Sequence, residues 1–221
     1  MARQSRSEVT RRKIIDSAVD LINEIGYPAA GLADIIERAE LTKGALYYHF
    51  DSKEALATVI IEEAMGLLFE VFQTARDSRE RALESLIVGT YAASDLLATN
   101  RTVRAGCRLL RTFDGLNPAS KFAYENFTSQ FAKDVSAAAQ EGDLHDDANP
   151  DEITASLVAA ILGIEVLSSA LSSWSDMRAR FTRLWHVTLL AIVNAKSLEQ
   201  YRAFLEATAG ADTGLNPPAA P

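Results

Sequence analysis

The sequence predicts an all-α protein of about nine helices, because apolar residues recur at three- and four-residue spacing along almost its whole length. No run of alternating apolar and polar residues, bounded by turn residues, indicates a strand. The chain has 221 residues, of which 48% are hydrophobic, and a formal net charge of -8. This length and composition are typical of a soluble protein with a substantial core.

The first part of the chain predicts three short helices followed by a long one. Gly26 stands where a left-handed residue ends the first helix, and the hydroxyl of Thr42 can cap the third. Either Asp51 or Ser52 begins the fourth helix, which continues through a strongly apolar segment. The predicted helices span about residues 8–25, 32–39, 43–50 and from 51 or 52 through 73.

The remainder predicts five further helices separated by loops rich in glycine, proline and asparagine. They span about residues 79–99, 101–112, 118–140, 150–172 and 176–207. The final residues carry almost no large side chains, so we expect them to be disordered. The predicted organisation is a small helical domain at 1–54, a larger helical domain at 55–207, and a tail at 208–221.

Several classes of protein do not fit the composition. Cys107 is the single cysteine, which excludes an intrachain disulfide, and no histidine or cysteine cluster has metal-ligand spacing. The acids after Gly142 do not match a calcium-binding loop and predict a solvated loop. No nucleophile elbow, phosphate loop or paired carboxylate motif indicates an enzyme, so neither catalysis nor any cofactor or metal is expected.

Two segments of the sequence bear on the cellular location of the protein. The basic N-terminus is not followed by the apolar run of a secretory signal, which predicts a cytoplasmic protein. Residues 153–171 approach membrane-spanning length, yet they include Glu165 and several serines. We therefore expect a buried or subunit-interface helix here and no membrane association.

The segment LTKGALYYHFDSKEAL, residues 41–56, carries the clearest functional signal. Three short helices with a tight turn before the third form a helix-turn-helix unit, whose last helix enters the DNA major groove. At 100° per residue, Leu46 and Phe50 share the inner side of that helix, and the residues opposite are small or aromatic. The residues expected to contact DNA are Arg3, Arg6, Arg11, Thr42, Lys43, Gly44, Ala45, Tyr47, Tyr48, His49 and Lys53.

This segment, preceded by TRRKIIDSAVDLINEIGY, resembles the N-terminal domain of TetR-family transcriptional repressors. The resemblance implies a homodimer that binds a near-palindromic operator in double-stranded DNA. Residues 1–54 would then be the helix-turn-helix DNA-binding domain, and residues 55–207 the ligand-binding and dimerisation domain. Members usually open the second helix with threonine or serine, whereas Gly31 stands here. That substitution removes a phosphate contact, so we expect greater reliance on the N-terminal arginines and Lys53.

Later segments, including TVRAGCRLL and DMRARFTRLWHVTLL, are similar to the gamma-butyrolactone autoregulator receptors within that family. The resemblance places Phe127 where those receptors have a ligand-stacking tryptophan, and Leu162 where some have a polar threonine. Helix phase adds further candidates, each of which is also compatible with ordinary core packing. The effector-site candidates are Val88, Tyr91, Leu109, Leu110, Phe127, Leu162 and Trp185.

The predicted function is a repressor released from DNA by a small hydrophobic signal such as a gamma-butyrolactone-type autoregulator. Phe127 and Leu162, where this chain differs from those receptors, favour a more apolar effector, for example one with a longer acyl chain. The alternative is a TetR-type regulator of efflux or lipid metabolism that senses drugs, antibiotics or acyl-CoA. A helical interaction protein with a vestigial helix-turn-helix also remains open, and it would lack salt-dependent DNA affinity.

Overall fold

A computed structural model describes the backbone of residues 2–211 and 214, and side chains from Arg6 onward within those ranges. Every helix or strand assigned in this part is α-helical, which confirms the predicted fold class. The ten helices are α1 Ala2–Ile25, α2 Leu32–Arg38, α3 Lys43–His49, α4 Lys53–Asp77, α5 Ala82–Thr99, α6 Arg101–Phe113, α7 Pro118–Gln140, α8 Pro150–Ser172, α9 Met177–Ile192 and α10 Leu198–Ala209.

The helices group into two compact units. The first contains Met1–Leu67 and Asn100–Tyr124, and the second contains Leu68–Thr99 and Glu125–Pro221. Both α4 and α7 pass from one unit to the other along their length. The predicted division into functional domains at residues 54 and 55 stays a prediction, because it concerns activity rather than packing.

The first unit is built on α1, which packs against α2, α3 and α6. Its core includes Ile14, Leu46 and Ile60, all fully buried. Gly106 allows α6 to lie directly on α4, because a Cβ atom there would fall 2.2 Å from the Cβ of Ala64. Burial of each large aliphatic side chain contributes about 1.5–3 kcal/mol, so this small core holds the short helices α2 and α3 against α1.

The second unit is centred on the packing of α5 and α9, with α8 and α10 also packed on α9. Gly89 of α5 meets α4, since a Cβ atom there would fall 2.4 Å from the ring of Phe72. The rings of Phe72, Phe127 and Phe131 form an aromatic cluster with centroid separations of 4.5–5.8 Å. Aromatic contacts of this geometry add to the stabilisation from burial.

The prediction of one continuous helix at 176–207 is wrong, because α9 ends at Ile192 and α10 begins at Leu198. Val193 is extended and pairs with Leu144, and the side chain of Asn194 accepts the N–H groups of Lys196 and Ser197. An asparagine turn of this kind competes with helix continuation. Helical periodicity alone could not reveal that interruption.

Smaller differences concern helix ends. Helix α1 begins at Ala2 rather than near residue 8, and α5 begins at Ala82 rather than near 79. Helix α10 extends to Ala209, whereas residues 212–213 and 215–221 of the predicted tail lie outside the described residues. Of the two candidate caps of α4, Ser52 accepts the N–H of Ala55 at 3.0 Å.

Candidate nucleic-acid interface and effector core

Helix α3 is fixed at its start and on its inner side. The Thr42 hydroxyl accepts the N–H of Ala45 at 3.2 Å, which confirms the predicted cap. Leu46 and Phe50 are buried, as the helical phase predicts. These contacts orient a seven-residue helix that is too short to be stable without tertiary packing.

The outer side of α3 presents aromatic and basic groups. The side chain of Tyr48 is 78% exposed and that of Tyr47 is 45% exposed. The rings of Tyr48 and His49 meet edge to face at 5.0 Å, and the Lys43 ammonium lies 5.8 Å from the centre of the Tyr47 ring. Gly44 is exposed and Ala45 half-buried, so no bulky side chain covers the backbone at the helix start.

Lys53 at the start of α4 makes contacts that the sequence did not indicate. Its ammonium donates to the backbone carbonyls of Tyr27 and Pro28 and lies 4.2 Å from the centre of the Tyr27 ring. Partial burial lowers the pKa of this lysine. The residue therefore fastens α4 to the turn after α1, and its ammonium is directed at that turn in this conformation.

The N-terminal arginines differ in their surroundings. Arg6 is exposed, whereas the Arg11 guanidinium lies 5.4 Å from the centre of the Phe50 ring. Arg12, beside it, pairs with Glu63 at 2.8 Å. The side chain of Arg3 lies outside the described residues.

Gly31 caps α2 without a side chain of its own. Its backbone N–H donates to the Asp34 carboxylate at 3.1 Å, and it adopts the extended conformation of a cap residue. The Asp34 carboxylate therefore lies at the N-terminus of α2, where a bound phosphate would otherwise accept hydrogen bonds. The predicted loss of a phosphate contact at Gly31 stays a prediction.

Within the second unit, two aromatic residues among the effector-site candidates join α5 to α9. The Tyr91 hydroxyl lies 2.7 Å from the Thr182 hydroxyl, and the indole N–H of Trp185 donates to the Thr90 hydroxyl at 2.9 Å. Tyr91 and Trp185 are fully buried, and Val88 on the same helix as Tyr91 is buried as well. Desolvation raises the pKa of Tyr91, so its hydroxyl stays protonated near neutrality.

The remaining candidates lie elsewhere. Phe127 is half-buried in the aromatic cluster with Phe72 and Phe131, and Leu162 is half-buried on α8. Leu109 and Leu110 are buried on α6, which belongs to the first unit. The structure therefore joins Tyr91 and Trp185 through one helix pair and places Phe127 in an aromatic cluster with α4.

Arg178 is a residue of the α5–α9 core that sequence reasoning missed. Its guanidinium pairs with both carboxylate oxygens of Asp95 at 2.8–2.9 Å and stacks 4.7 Å from the centre of the Tyr91 ring. It also donates to the carbonyls of Thr208 and Ala209 at the end of α10. Because its partners are distant in the sequence, no local sequence pattern indicates this role of Arg178.

The acidic loop after α7 is also different from expectation. Asp146 and Asp147 are exposed as predicted, but Asp143 is fully buried, which makes the prediction of a solvated loop wrong at that position. Its carboxylate accepts hydrogen bonds from Arg81 and from the hydroxyl of Tyr201. A buried carboxylate requires such partners, and they come from distant parts of the sequence, Arg81 just before α5 and Tyr201 on α10.

An exposed apolar surface runs along α8 and α9. Its large exposed side chains are Val166, Leu167, Leu171, Val187 and Leu190, with Leu171 71% exposed. A groove of about 420 Å³ between the helices is lined by residues such as Ile153, Leu157 and Leu184. Within the described residues, α8 is the one helix long and apolar enough to cross a membrane by length and composition, and 33% of its apolar window is buried.

Comparison with known proteins identifies the class. Residues 14–60 match the profile of bacterial regulatory proteins of the tetR family, and residues 80–194 match the tetracyclin repressor-like C-terminal domain. The chain therefore belongs to the TetR family of regulatory proteins. That family consists of DNA-binding regulators rather than enzymes.

Within the family, the predicted resemblance to gamma-butyrolactone receptors is confirmed. The chain is 30% identical over 195 residues to the A-factor receptor protein of Streptomyces griseus, covering 88% of this chain and 67% of that protein. A crystal structure of a gamma-butyrolactone receptor, an ArpA-like protein, superposes with a TM-score of 0.76 at 25% identity over 92% of this chain and 97% of the other. The structure of CprB, a TetR family protein from S. coelicolor, superposes with a TM-score of 0.77 at 26% identity, covering 94% of this chain and 100% of the other.

These relatives favour a ligand-responsive repressor over the alternative of an efflux or lipid-metabolism regulator.

Proposed function

We propose that this protein is a cytoplasmic, homodimeric transcriptional repressor that binds a near-palindromic DNA operator and is released by a small hydrophobic effector. The single observation that carries the proposal is the exposed aromatic and basic side of α3, whose opposite side is fixed by the buried Leu46 and Phe50. The chain around it matches TetR-family profiles at residues 14–60 and 80–194. Neither a metal nor a cofactor is needed for this activity.

For DNA contact, α3 has the properties that a major-groove helix requires. Gly44 and Ala45 let the backbone approach base edges, and Tyr48 projects far enough to reach them. The hydroxyls of Thr42 and Tyr47 and the charges of Lys43 and His49 suit phosphate oxygens. Arg6 and Arg11 on α1 add basic groups, with Arg3 as a further candidate. Lys53 supports the interface by bracing α4, and it reaches phosphate only if its ammonium leaves the Tyr27 carbonyl.

For dimerisation, the exposed apolar surface of α8 and α9 is the region that pairs with a second copy. Leu167, Leu171 and Val187 are at least half exposed in the single chain, and pairing two such surfaces removes them from water. A two-fold symmetric dimer carries two copies of α3, one for each half of a near-palindromic operator. Binding to successive major grooves then requires the two recognition helices about 34–36 Å apart.

For effector binding, the apolar side chains of the second unit indicate a hydrophobic ligand. Tyr91 and Trp185 each carry one polar group, and each group already has a hydroxyl partner within the protein. A ligand that packs against their rings therefore gains apolar contact without leaving a buried donor unpaired. Phe127 and Leu162 extend this preference, and Val88 is a further candidate in the same unit. Leu109 and Leu110 lie in the first unit and stay predictions from the sequence. A gamma-butyrolactone with an apolar chain fits this chemistry.

Release follows from linkage between the two sites. An effector that binds more tightly to a conformation with the wrong separation of recognition helices lowers operator affinity. The operator must then weaken effector binding by the same factor, which for allosteric proteins is about 5–150-fold.

The test is a fluorescence-anisotropy titration on DNA from upstream of the protein's own gene, with a scrambled duplex as control. We expect specific binding that falls steeply with salt and is reversed by an alkyl-substituted gamma-butyrolactone. Equal affinity for both duplexes, across operator candidates from the whole genome, would refute the repressor. Unchanged DNA affinity at saturating lactone and with a culture extract would refute the effector class.

A further inference from the structure

The end of helix α10 is held by polar contacts rather than by buried side chains. Tyr201 and Leu205 in its first part are fully buried, whereas none of the residues 206–211 is buried. Helix α10 also lies beyond residues 80–194, the segment that matches the C-terminal domain of the family. Fewer buried contacts lower the cost of local opening, so the end of α10 depends on the specific contacts that fix it.

Arg178 on α9 supplies those contacts. A guanidinium has five N–H donors, and this one directs three of them to carbonyls at the end of α10, namely those of Thr208, Ala209 and Ala211. The other two reach the carboxylate oxygens of Asp95 on α5 at 2.8 and 2.9 Å. Carbonyls at a helix end carry partial negative charge, which a cation stabilises. One side chain therefore joins the end of α10 to both α5 and α9.

The same guanidinium covers Tyr91, one of the residues proposed for effector contact. It lies 4.7 Å from the centre of the Tyr91 ring, and its side chain is 27% exposed. Tyr91, Val88 and Trp185 are at most 1% exposed. An effector that packs against these residues must therefore pass an element of the second unit that opens.

The end of α10 can open at lower cost than the helices beneath it. Helix α5 is buried along most of its length, and α9 packs against α5, α8 and α10. Separating those helices would expose much apolar surface to water. The other ionic contact of α10 in its second half joins Glu206 to His186 at 3.3 Å, and both side chains are exposed, so it contributes little. Arg178 is thus the main obstacle to opening.

We propose that the end of α10 is a gate over the effector site and that Arg178 holds this gate closed. The inference rests on the proposed function for the ligand that passes the gate, while the opening itself is a property of α10 and Arg178. Arg178 is a positioning residue, because it acts through α10 and Tyr91. A gate that is closed both before and after binding controls rates, so its loosening speeds entry and exit together and leaves the equilibrium affinity nearly unchanged.

The first experiment needs no effector. Full-length protein with Trp174→Phe retains Trp185 as its one tryptophan, and acrylamide quenching then reports access to the α5–α9 core. Arg178→Met is compared with Arg183→Met, which changes an exposed arginine on the same helix. We expect Arg178→Met to raise the quenching rate constant, and hydrogen exchange at residues 206–211, about tenfold, because hydrogen bonds from a charged donor are lost. Arg183→Met should match wild type.

Two further variants separate the contacts of Arg178. Asp95→Asn weakens the ion pair but leaves the three carbonyl contacts, so its quenching should stay near that of wild type. Arg178→Lys keeps the charge and loses the planar fork, so its quenching should lie between wild type and Arg178→Met. It also provides the measurement if Arg178→Met does not fold. In stopped-flow mixing with the alkyl gamma-butyrolactone, Arg178→Met should raise the association and dissociation rates by similar factors.

Equal quenching in Arg178→Met and Arg183→Met would overturn the gate, even if Arg178→Met had a lower Tm, because a purely structural role changes stability alone. An increase in Asp95→Asn as large as that in Arg178→Met would also overturn it, since the contacts with α10 would then not be the ones that matter. If wild type does not bind the lactone, the proposed effector class fails instead. Acrylamide quenching and hydrogen exchange then decide alone whether α10 opens at Arg178.

Discussion

Replacement of Asp143 by alanine should destabilise the second unit by about 2–3 kcal/mol. Its side chain is fully buried, and its carboxylate accepts hydrogen bonds from the guanidinium of Arg81 and the hydroxyl of Tyr201. Removal of one partner of a buried pair costs about 3–5 kcal/mol when the other charge stays buried. The side chain of Arg81 is 35% exposed and remains partly hydrated, so the expected cost falls to the bottom of this range or just below it, at about 2–3 kcal/mol.

The assay is urea denaturation followed by tryptophan fluorescence. Both tryptophans of the chain, Trp174 and Trp185, are buried in the second unit, so the signal reports unfolding of the unit that contains Asp143. For a chain of this length, the expected loss corresponds to a fall in Tm of about 5–10 °C.

Two further variants separate the parts of this network. Tyr201→Phe removes one hydroxyl and should cost about 1 kcal/mol. Asp147→Ala changes an exposed acid in the same loop and should alter stability by less than about 0.5 kcal/mol. If Asp143→Ala unfolds at the wild-type urea concentration, the buried pair does not stabilise the second unit.

Three other predictions follow from individual side chains. Tyr48→Ala should weaken operator binding about 5- to 100-fold in anisotropy titrations while leaving Tm unchanged, because the side chain is exposed. Gly89→Ala should lower the free energy of unfolding by about 1–3 kcal/mol in urea titrations, because the new methyl group overlaps the Phe72 ring. For Asp176, hydrogen bonds from Arg180 and two serines lower the pKa of the carboxyl in the folded state. Its stabilisation is present above the unfolded pKa and is lost as pH falls, so the difference in Tm between wild type and Asp176→Asn should shrink below about pH 4.

Each of these three predictions has a control variant or a contrary result that tests it. Leu46→Ala, on the buried side of α3, should lose stability by about 2–5 kcal/mol, unlike Tyr48→Ala. Gly210→Ala should be neutral or slightly stabilising, in contrast to Gly89→Ala. A Tm difference for Asp176→Asn that is constant from pH 7 to pH 3 would contradict the reasoning on its pKa.

Features that depend on local patterns could be predicted from the sequence alone. Helical periodicity predicted the all-α fold, and both ends of α7 and α8 match their predicted limits. Thr42, Leu46 and Phe50 were assigned correctly because capping and helix phase involve residues within a few positions of one another. The family could be predicted for the same reason, since the motif that carries it is a short contiguous segment.

The way in which distant residues combine could be read only from the folded chain. The break before α10 depends on pairing between Val193 and Leu144, and the burial of Asp143 depends on Tyr201, far along the chain. The open space around Gly66 distinguishes it from Gly89 and Gly106, although all three are helix-interior glycines in the sequence. The physical reason is that burial and pairing are properties of the neighbours a residue meets after folding, whereas periodicity records only the neighbours that it has along the chain.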